Sequence, residues 1–253
     1  MTDQKTVLFS HSQLVYIIHV RDLYKQFVKE GDLCFDIGAC WGNMMYPLLL
    51  LESKVIAVEP NTNSCDKIHG TFRTLKDVNY VIKNVAVSDK EGEEQFYINP
   101  YAEISTLNKD WIASVTKSKR FGDDVQEWAT NRKFKTTTLD KLIEEHGKPH
   151  FIKIDVEGHE SKVLQGLSTP INVISFEYNI EFICDAIKCI DTLNKLGDYV
   201  YTFTSGTRME FVSNGWLDGT TLINDLLQNP SKQVHAWGDI YALDRRLPLK
   251  DFI

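Results

Sequence analysis

The sequence predicts an α/β fold with a mostly parallel sheet and helices on both faces. Short apolar runs of strand length alternate with helical stretches along most of the chain, the pattern that crossover connections produce. A strand, a glycine-bearing turn and a helix start follow one another in "CFDIGACWGNMMY", residues 34–46. The composition is that of an ordinary globular protein, with 43% hydrophobic and 25% charged residues. A length of 253 residues suits one elaborated domain, 1–253, with a helical extension over 1–30 and a core from 31 onward.

Residues 13–29 place Leu14, Ile17, Ile18, Leu23, Phe27 and Val28 near helical spacing, which predicts a leading helix or two and a surface that can support a homodimer. Gly31-Asp32 breaks that pattern. Strands are expected at 33–37, 54–59, 79–87, 151–156, 172–178 and 199–204, and helices at 42–51, 62–75, 138–147, 158–167 and 183–196. Pro47 inside the first crossover helix removes a hydrogen bond, so a kink or a short helix is expected there. Gly166 and Pro170 stop the helix over 158–167. Beyond 204, "MEFVS" and "GDIYAL" read as late strands and "TTLINDLLQ" as a helix between them.

Segment 99–135 interrupts the alternation. It is long and aromatic, with Tyr101, Trp111, Phe121, Trp128 and Phe134. From 109 to 135 it carries seven Lys/Arg against four Asp/Glu. It reads either as an inserted lid or as a solvated helical excursion. The net charge of −7 argues against broad nucleic-acid binding. The five scattered cysteines form no CxxC pair, which disfavours zinc and a disulfide framework. With no signal-peptide pattern and no apolar run of spanning length, a cytoplasmic protein is expected.

The loop after the first strand narrows the ligand. A dinucleotide site needs G-x-G-x-x-G, but here Gly38 and Gly42 are four apart and Cys40 takes the middle place. A P-loop ending is also missing. S-adenosylmethionine has no phosphate to cradle, and a close-passing loop beside Asp36 suits its methionyl part. Glu59, ending "KVIAVE" seventeen residues after Gly42, is placed to accept hydrogen bonds from ribose hydroxyls.

In order, "FDIGACWGN", "VIAVEP", "NVAVSDKEGE", "TTTLDKL" and "FIKIDVEGHESKVLQG" resemble the FkbM family of S-adenosylmethionine-dependent methyltransferases. The resemblance is close over 31–180 and looser beyond. It implies a Rossmann-like class I methyltransferase fold with a seven-stranded sheet, and O-methylation of a hydroxyl, often on a sugar. It places Asp36, Gly38, Ala39, Cys40, Gly42 and Asn43 around the methionyl side, with Glu59 and Pro60 at the ribose. Asn84 to Ser88, including Ala86 and Val87, would lie beside the adenine, and Asp155 would also touch the cofactor. Cys40 and Trp41 depart from the smaller residues usual at those places.

Strand ends supply the candidate chemistry. The fourth strand ends at Asp155, followed by Glu157, Gly158, His159 and Glu160, and the fifth ends in Glu177-Tyr178-Asn179. Methyl transfer to oxygen needs a proton acceptor. His159 is the natural base because it titrates near neutrality, with Asp155 or Glu157 positioning the hydroxyl or the imidazole. Asp155, Glu177 and Asn179 can also hold Mg²⁺ or Ca²⁺, a reading ranked below the metal-free one. The basic excess points to an anionic carbohydrate acceptor, with Lys117, Lys119 and Arg120 contacting it. Competing readings are N-methylation, an NAD-dependent oxidoreductase and a non-catalytic scaffold.

Overall fold

The computed structural model describes residues 9–122, 127–228 and 236–246. Helix α1 (His11–Tyr24) begins in a capping box: the Gln13 amide donates to Ser10 Oγ and the Ser10 amide donates to Gln13 Oε1. It is followed by β1 (Leu33–Ile37), α2 (Met45–Leu49), β2 (Lys54–Val58), α3 (Thr62–Phe72) and β3 (Asn79–Lys83). Next come β4 (Ala86–Val87), β5 (Gly92–Ile98), α4 (Lys109–Ser118), β6 (Ala129–Thr137) and α5 (Leu139–His146). The remaining elements are β7 (Phe151–Ile154), α6 (Glu160–Gln165), β8 (Val173–Asn179), α7 (Ile183–Leu196), β9 (Tyr199–Phe203), α8 (Gly219–Gln228) and β10 (Trp237–Asp244).

Seven strands form one sheet in the order β3-β2-β1-β7-β8-β10-β9. β10 runs antiparallel to both of its neighbours, and the other pairings are parallel. β7 and β8 are buried along their whole length, as strands covered on both faces must be. Side-chain alternation splits the core. Phe35, Ile37, Ile152 and Ile154 pack with α5, α6 and α7, while Cys34, Val55, Ala57 and Phe151 pack with α1, α2 and α3. From β1 the strand order runs outward in both directions, so a crevice opens where the carboxyl ends of β1 and β7 part. Among the described residues no helix is long and apolar enough to cross a membrane.

Several expectations change in detail. Residues 79–87 do not form one strand: the chain leaves the main sheet after Lys83, and β4 joins β6 and β5 in a separate three-stranded sheet. Asn84 makes that crossing, its amide donating to the carbonyls of Glu59 and Pro60. Met209–Ser213 is not a strand; the Val212 amide donates to the Phe203 carbonyl of β9, Ser213 Oγ meets Thr202 Oγ1, and a Gly215 turn leads to a bridge between Tyr201 and Leu217. Pro47 falls in a helix of only five residues. Segment 99–135 forms a 3₁₀ turn (Ala102–Ile104), α4, whose Trp111 packs on Gly158 just after β7, and most of β6, which belongs to the small sheet. α4 is amphipathic, with Trp111 and Val115 buried and Lys117 and Lys119 exposed. Residues 123–126 of that segment lie outside the described residues.

Candidate active site

After β1 the chain turns through Gly38 at φ +85°, where an added Cβ would sit 1.8 Å from the Asp155 carbonyl oxygen. Only glycine lets the ends of β1 and β7 approach this closely. At Gly42, φ +81°, an added Cβ would lie 2.6 Å from the Phe72 ring, so this glycine serves the packing of the loop on α3. Cys40 between them takes a left-handed φ of 44°, and its amide donates to Glu59 Oε2 at 2.9 Å. The Asn61 amide donates to Glu59 Oε1 at 2.7 Å. One buried carboxylate therefore ties the loop after β1 to the loop after β2. Burial pushes Glu59 up to about 7, against the pull of the two amides.

A first cavity of about 490 Å³, its open mouth included, lies between these loops and the crossing to the small sheet. Glu59 and Pro60 stand at one end; Val85, Ala86, Val87, Phe96 and Val156 give it apolar walls. A second cavity of about 1270 Å³, likewise open, adjoins it and is walled by Ala39, Asn43, Arg120, Phe121, Glu177 and Trp237 among others. Gly38, Cys40, Glu103, Asp155 and Glu157 line both, so the two spaces share one wall.

That wall is acidic. Carboxylate oxygens of Asp155, Glu157 and Glu177 lie within 4.8 Å of one another. Burial, then the charges of Glu177 and Asp155, pushes Glu157 well above the usual carboxylate range. Burial and then Asp155 push Glu177 up to about 8, and Arg120 opposes both rises. The turn carrying Glu157 is left-handed at two successive residues, Glu157 (φ 57°) and Gly158 (φ 82°). Thr106 Oγ1 donates to the Glu157 carbonyl at 2.7 Å, and the Asn108 amide donates to the Gly158 carbonyl. Glu160 accepts from the Val156 amide at 3.0 Å, and a Cβ at Gly158 would fall 2.3 Å from the Trp111 ring. The inserted segment thus braces the turn that presents Glu157.

Beneath the wall lies an ion cluster that sequence reasoning missed. Lys153, fully buried, donates to Asp239 Oδ1 at 2.8 Å and to Asp155 Oδ2 at 3.2 Å. Burial pulls its ammonium down, but Asp155 and Asp239 more than compensate and hold it well above the ordinary value. Asp36, the register partner of Lys153, is fully buried, and neither of its oxygens has a hydrogen-bond partner among the described residues. Burial pushes it up to about 7, opposed chiefly by Lys153 and slightly by the nearby Met45 amide. The available signals were a lysine amid the apolar "FIKI" and an aspartate in "WGDIYAL".

Not every expected residue reaches the cavities. Asp36 lies below the floor, Gly42 faces Phe72, and neither lines either space. His159 points away from the shared wall: its Nε2 is 3.0 Å from Ser88 Oγ and 4.0 Å from Glu94. Burial lowers its pKa, with Glu94 and Asp185 opposing. Ser88 is fully buried in that same contact. Of the three cations expected at the acceptor, only Arg120 lines the second cavity, and it pairs with Glu181 at 3.0 Å.

These carboxyls set a pH dependence. Asp36, Glu59 and Glu177 keep their protons in the native state at pH values where the unfolded chain has lost them, so their contribution declines as pH rises through their folded pKa values. His159, held below 6.5, acts oppositely, but only at lower pH. Urea unfolding of the ligand-free protein should therefore show stability falling between about pH 6.5 and about pH 8. A flat or rising profile there would contradict these environments.

The strand order, with paired cavities over the carboxyl ends of β1 and β7, defines a Rossmann-like class I methyltransferase fold. Residues 36–201, more than half of the chain, match the methyltransferase FkbM domain. The chain belongs to the FkbM methyltransferase family. Over 157 residues it is 27% identical to the hexuronic acid methyltransferase AglP of Haloferax volcanii, a match covering 58% of this chain and 55% of that protein. The match thus spans about half the length of that curated relative. Among solved structures it is similar to an O-methyltransferase from Bacillus cereus in complex with SAH, with a TM-score of 0.44, 11% identity and coverage of 94% and 82% of the two chains. It is also similar to the precorrin-6y C5,15-methyltransferase of Geobacter metallireducens, with a TM-score of 0.43, 11% identity and coverage of 96% and 94%.

Proposed function

We propose that the protein is an S-adenosylmethionine-dependent O-methyltransferase acting on a sugar hydroxyl. The observation that carries this reading is the wall shared by the two cavities, because a donor in one and an acceptor in the other meet at Asp155 and Glu157. The first cavity suits the cofactor. Each Glu59 oxygen accepts one amide bond, which leaves acceptor capacity for ribose hydroxyls, and Val85, Val87, Phe96 and Val156 offer an apolar slot for the adenine. When bound, the cofactor supplies a methyl group on a sulfonium. Asp155 would orient the acceptor hydroxyl toward that methyl group and take up the proton the hydroxyl gives up on transfer.

The second cavity suits a sugar. Tyr16, Phe121 and Trp237 offer aromatic surface, and Arg120 can pair with a uronic acid carboxylate, in keeping with the relative named as a hexuronic acid methyltransferase. Four carboxylates against one guanidinium disfavour a phosphorylated acceptor, so the anionic reading narrows to a single carboxylate. One observation favours a second, metal-assisted reading: the oxygens of Asp155, Glu157 and Glu177, within 4.8 Å of one another, form a hard-oxygen set for Mg²⁺ or Ca²⁺. Calorimetry should show binding of S-adenosylmethionine and none of NAD. Release of S-adenosylhomocysteine should appear with glucuronosides or neutral hexosides, and its loss in EDTA with recovery on Mg²⁺ would select the metal-assisted form. Absence of S-adenosylmethionine binding would remove the proposal.

A further inference from the structure

We propose that the second cavity continues into a groove along α1 that receives further units of an oligosaccharide acceptor, one unit being methylated at the shared wall. This rests on the reading of the second cavity as the acceptor site. Beside that cavity lies a trough of about 870 Å³, its mouth included, between α1 with its following turn and residues 207–210. The two spaces meet at Thr207, which lines both. On the helix side the wall is also continuous: Tyr16 faces the second cavity, and His19, Leu23 and Gln26 follow at steps of three or four along the trough. From Tyr16 to Asp22 the helix rises about 9 Å at roughly 1.5 Å per residue, and Gln26 extends the wall past its end. A single pyranose at the shared wall leaves that length unfilled.

The lining chemistry selects the occupant. Leu23, 2% exposed, and Met209 give the trough an apolar floor, while His19, Asp22, Gln26, Thr207, Arg208 and Glu210 present donors and acceptors of both kinds around it. Such a wall matches the alternating hydroxyls and apolar ring faces of a saccharide chain. It does not match a nucleotide diphosphate, because Arg208 shares the lining with Asp22 and Glu210 and no cluster of cations lines the trough among the described residues. Nor is it the apolar stripe that a partner helix would need.

The test compares kcat/KM for S-adenosylhomocysteine release on three acceptors: the methyl glycoside of the methylated unit, a tetrasaccharide carrying that unit at its end, and its nucleoside-diphosphate form. The tetrasaccharide is expected to be preferred over the methyl glycoside by about tenfold or more, mostly through KM. His19→Ala combined with Gln26→Ala, two exposed positions outside the second cavity, should bring the tetrasaccharide within about twofold of the glycoside. The glycoside's own kinetics should stay unchanged. Equal use of short and long acceptors, equal losses on both in the variant, or preference for the nucleotide sugar would overturn the groove. Activity on the glycoside alone would leave the acceptor site standing without it, whereas no transfer to any saccharide would overturn both.

Discussion

Replacing Lys153 with methionine is expected to lower stability by about 3–5 kcal/mol, among the largest effects of any single substitution in this chain. Methionine keeps much of the lysine stem, so the loss comes from charge and not from a cavity. Asp239, 14% exposed at its side chain, would lose its partner at 2.8 Å. Asp36, fully buried and without a hydrogen-bond partner among the described residues, would lose the chief charge opposing its burial. Three acids around a vacated cation must then take up protons or open the sheet. Urea unfolding midpoints measure the loss. Adding Asp239→Asn should recover a large part of it, because the second substitution removes the orphaned charge that the first creates. A loss below about 1 kcal/mol, or no recovery in the double variant, would show that the cluster holds together by other means.

Asp155→Asn is expected to reduce methyl transfer by about 10²–10⁴-fold while leaving S-adenosylmethionine affinity within a few-fold. Asp155 is the acid that touches both cavities and Lys153 at once. Asparagine fills the same space and keeps a donor and an acceptor but takes up no proton. Lys153 retains Asp239, so the fold should lose far less than it does with Lys153→Met. Calorimetry on the variant together with single-turnover transfer separates binding from chemistry. A variant that transfers within about tenfold of the parent moves the proton to Glu157 or Glu177.

The sheet was legible in the sequence because its strands are short, apolar and separated by recognisable turns. "FIKID" and "KVIAVE" place Asp155 and Glu59 at strand ends by position alone, and the FkbM resemblance implied a Rossmann-like sheet of seven strands. What stayed hidden depends on which way a side chain faces. His159 looked like a base because an imidazole titrates near neutrality, yet two left-handed residues before it turn the chain, and its ring meets Ser88. Gly42 looked like a cofactor glycine, and it faces the Phe72 ring, whereas Gly38 lines both cavities. The basic excess of 109–135 looked like a ligand patch, but amphipathic α4 sends Lys117 and Lys119 to solvent. Pairing between distant positions was invisible: nothing local in "FIKI" announces an aspartate 86 residues away.

Strand β10 sits between β8 and β9, antiparallel to both, and brings Asp239 to Lys153. This fixes the order in which the domain can mature during synthesis. β7 emerges from the ribosome long before β10, with a lysine on a face that must become dry. Until β10 inserts, β8 and β9 have no strand between them, and the ammonium lacks Asp239, its partner at 2.8 Å, while keeping Asp155 and the neighbouring Asp36 of β1. Closure of a loop this long is slow and depends on contacts distant in sequence. The last strand of the sheet therefore acts as a checkpoint: a nascent chain arrested before residue 237 should remain protease-sensitive around β7 and become resistant once β10 is released.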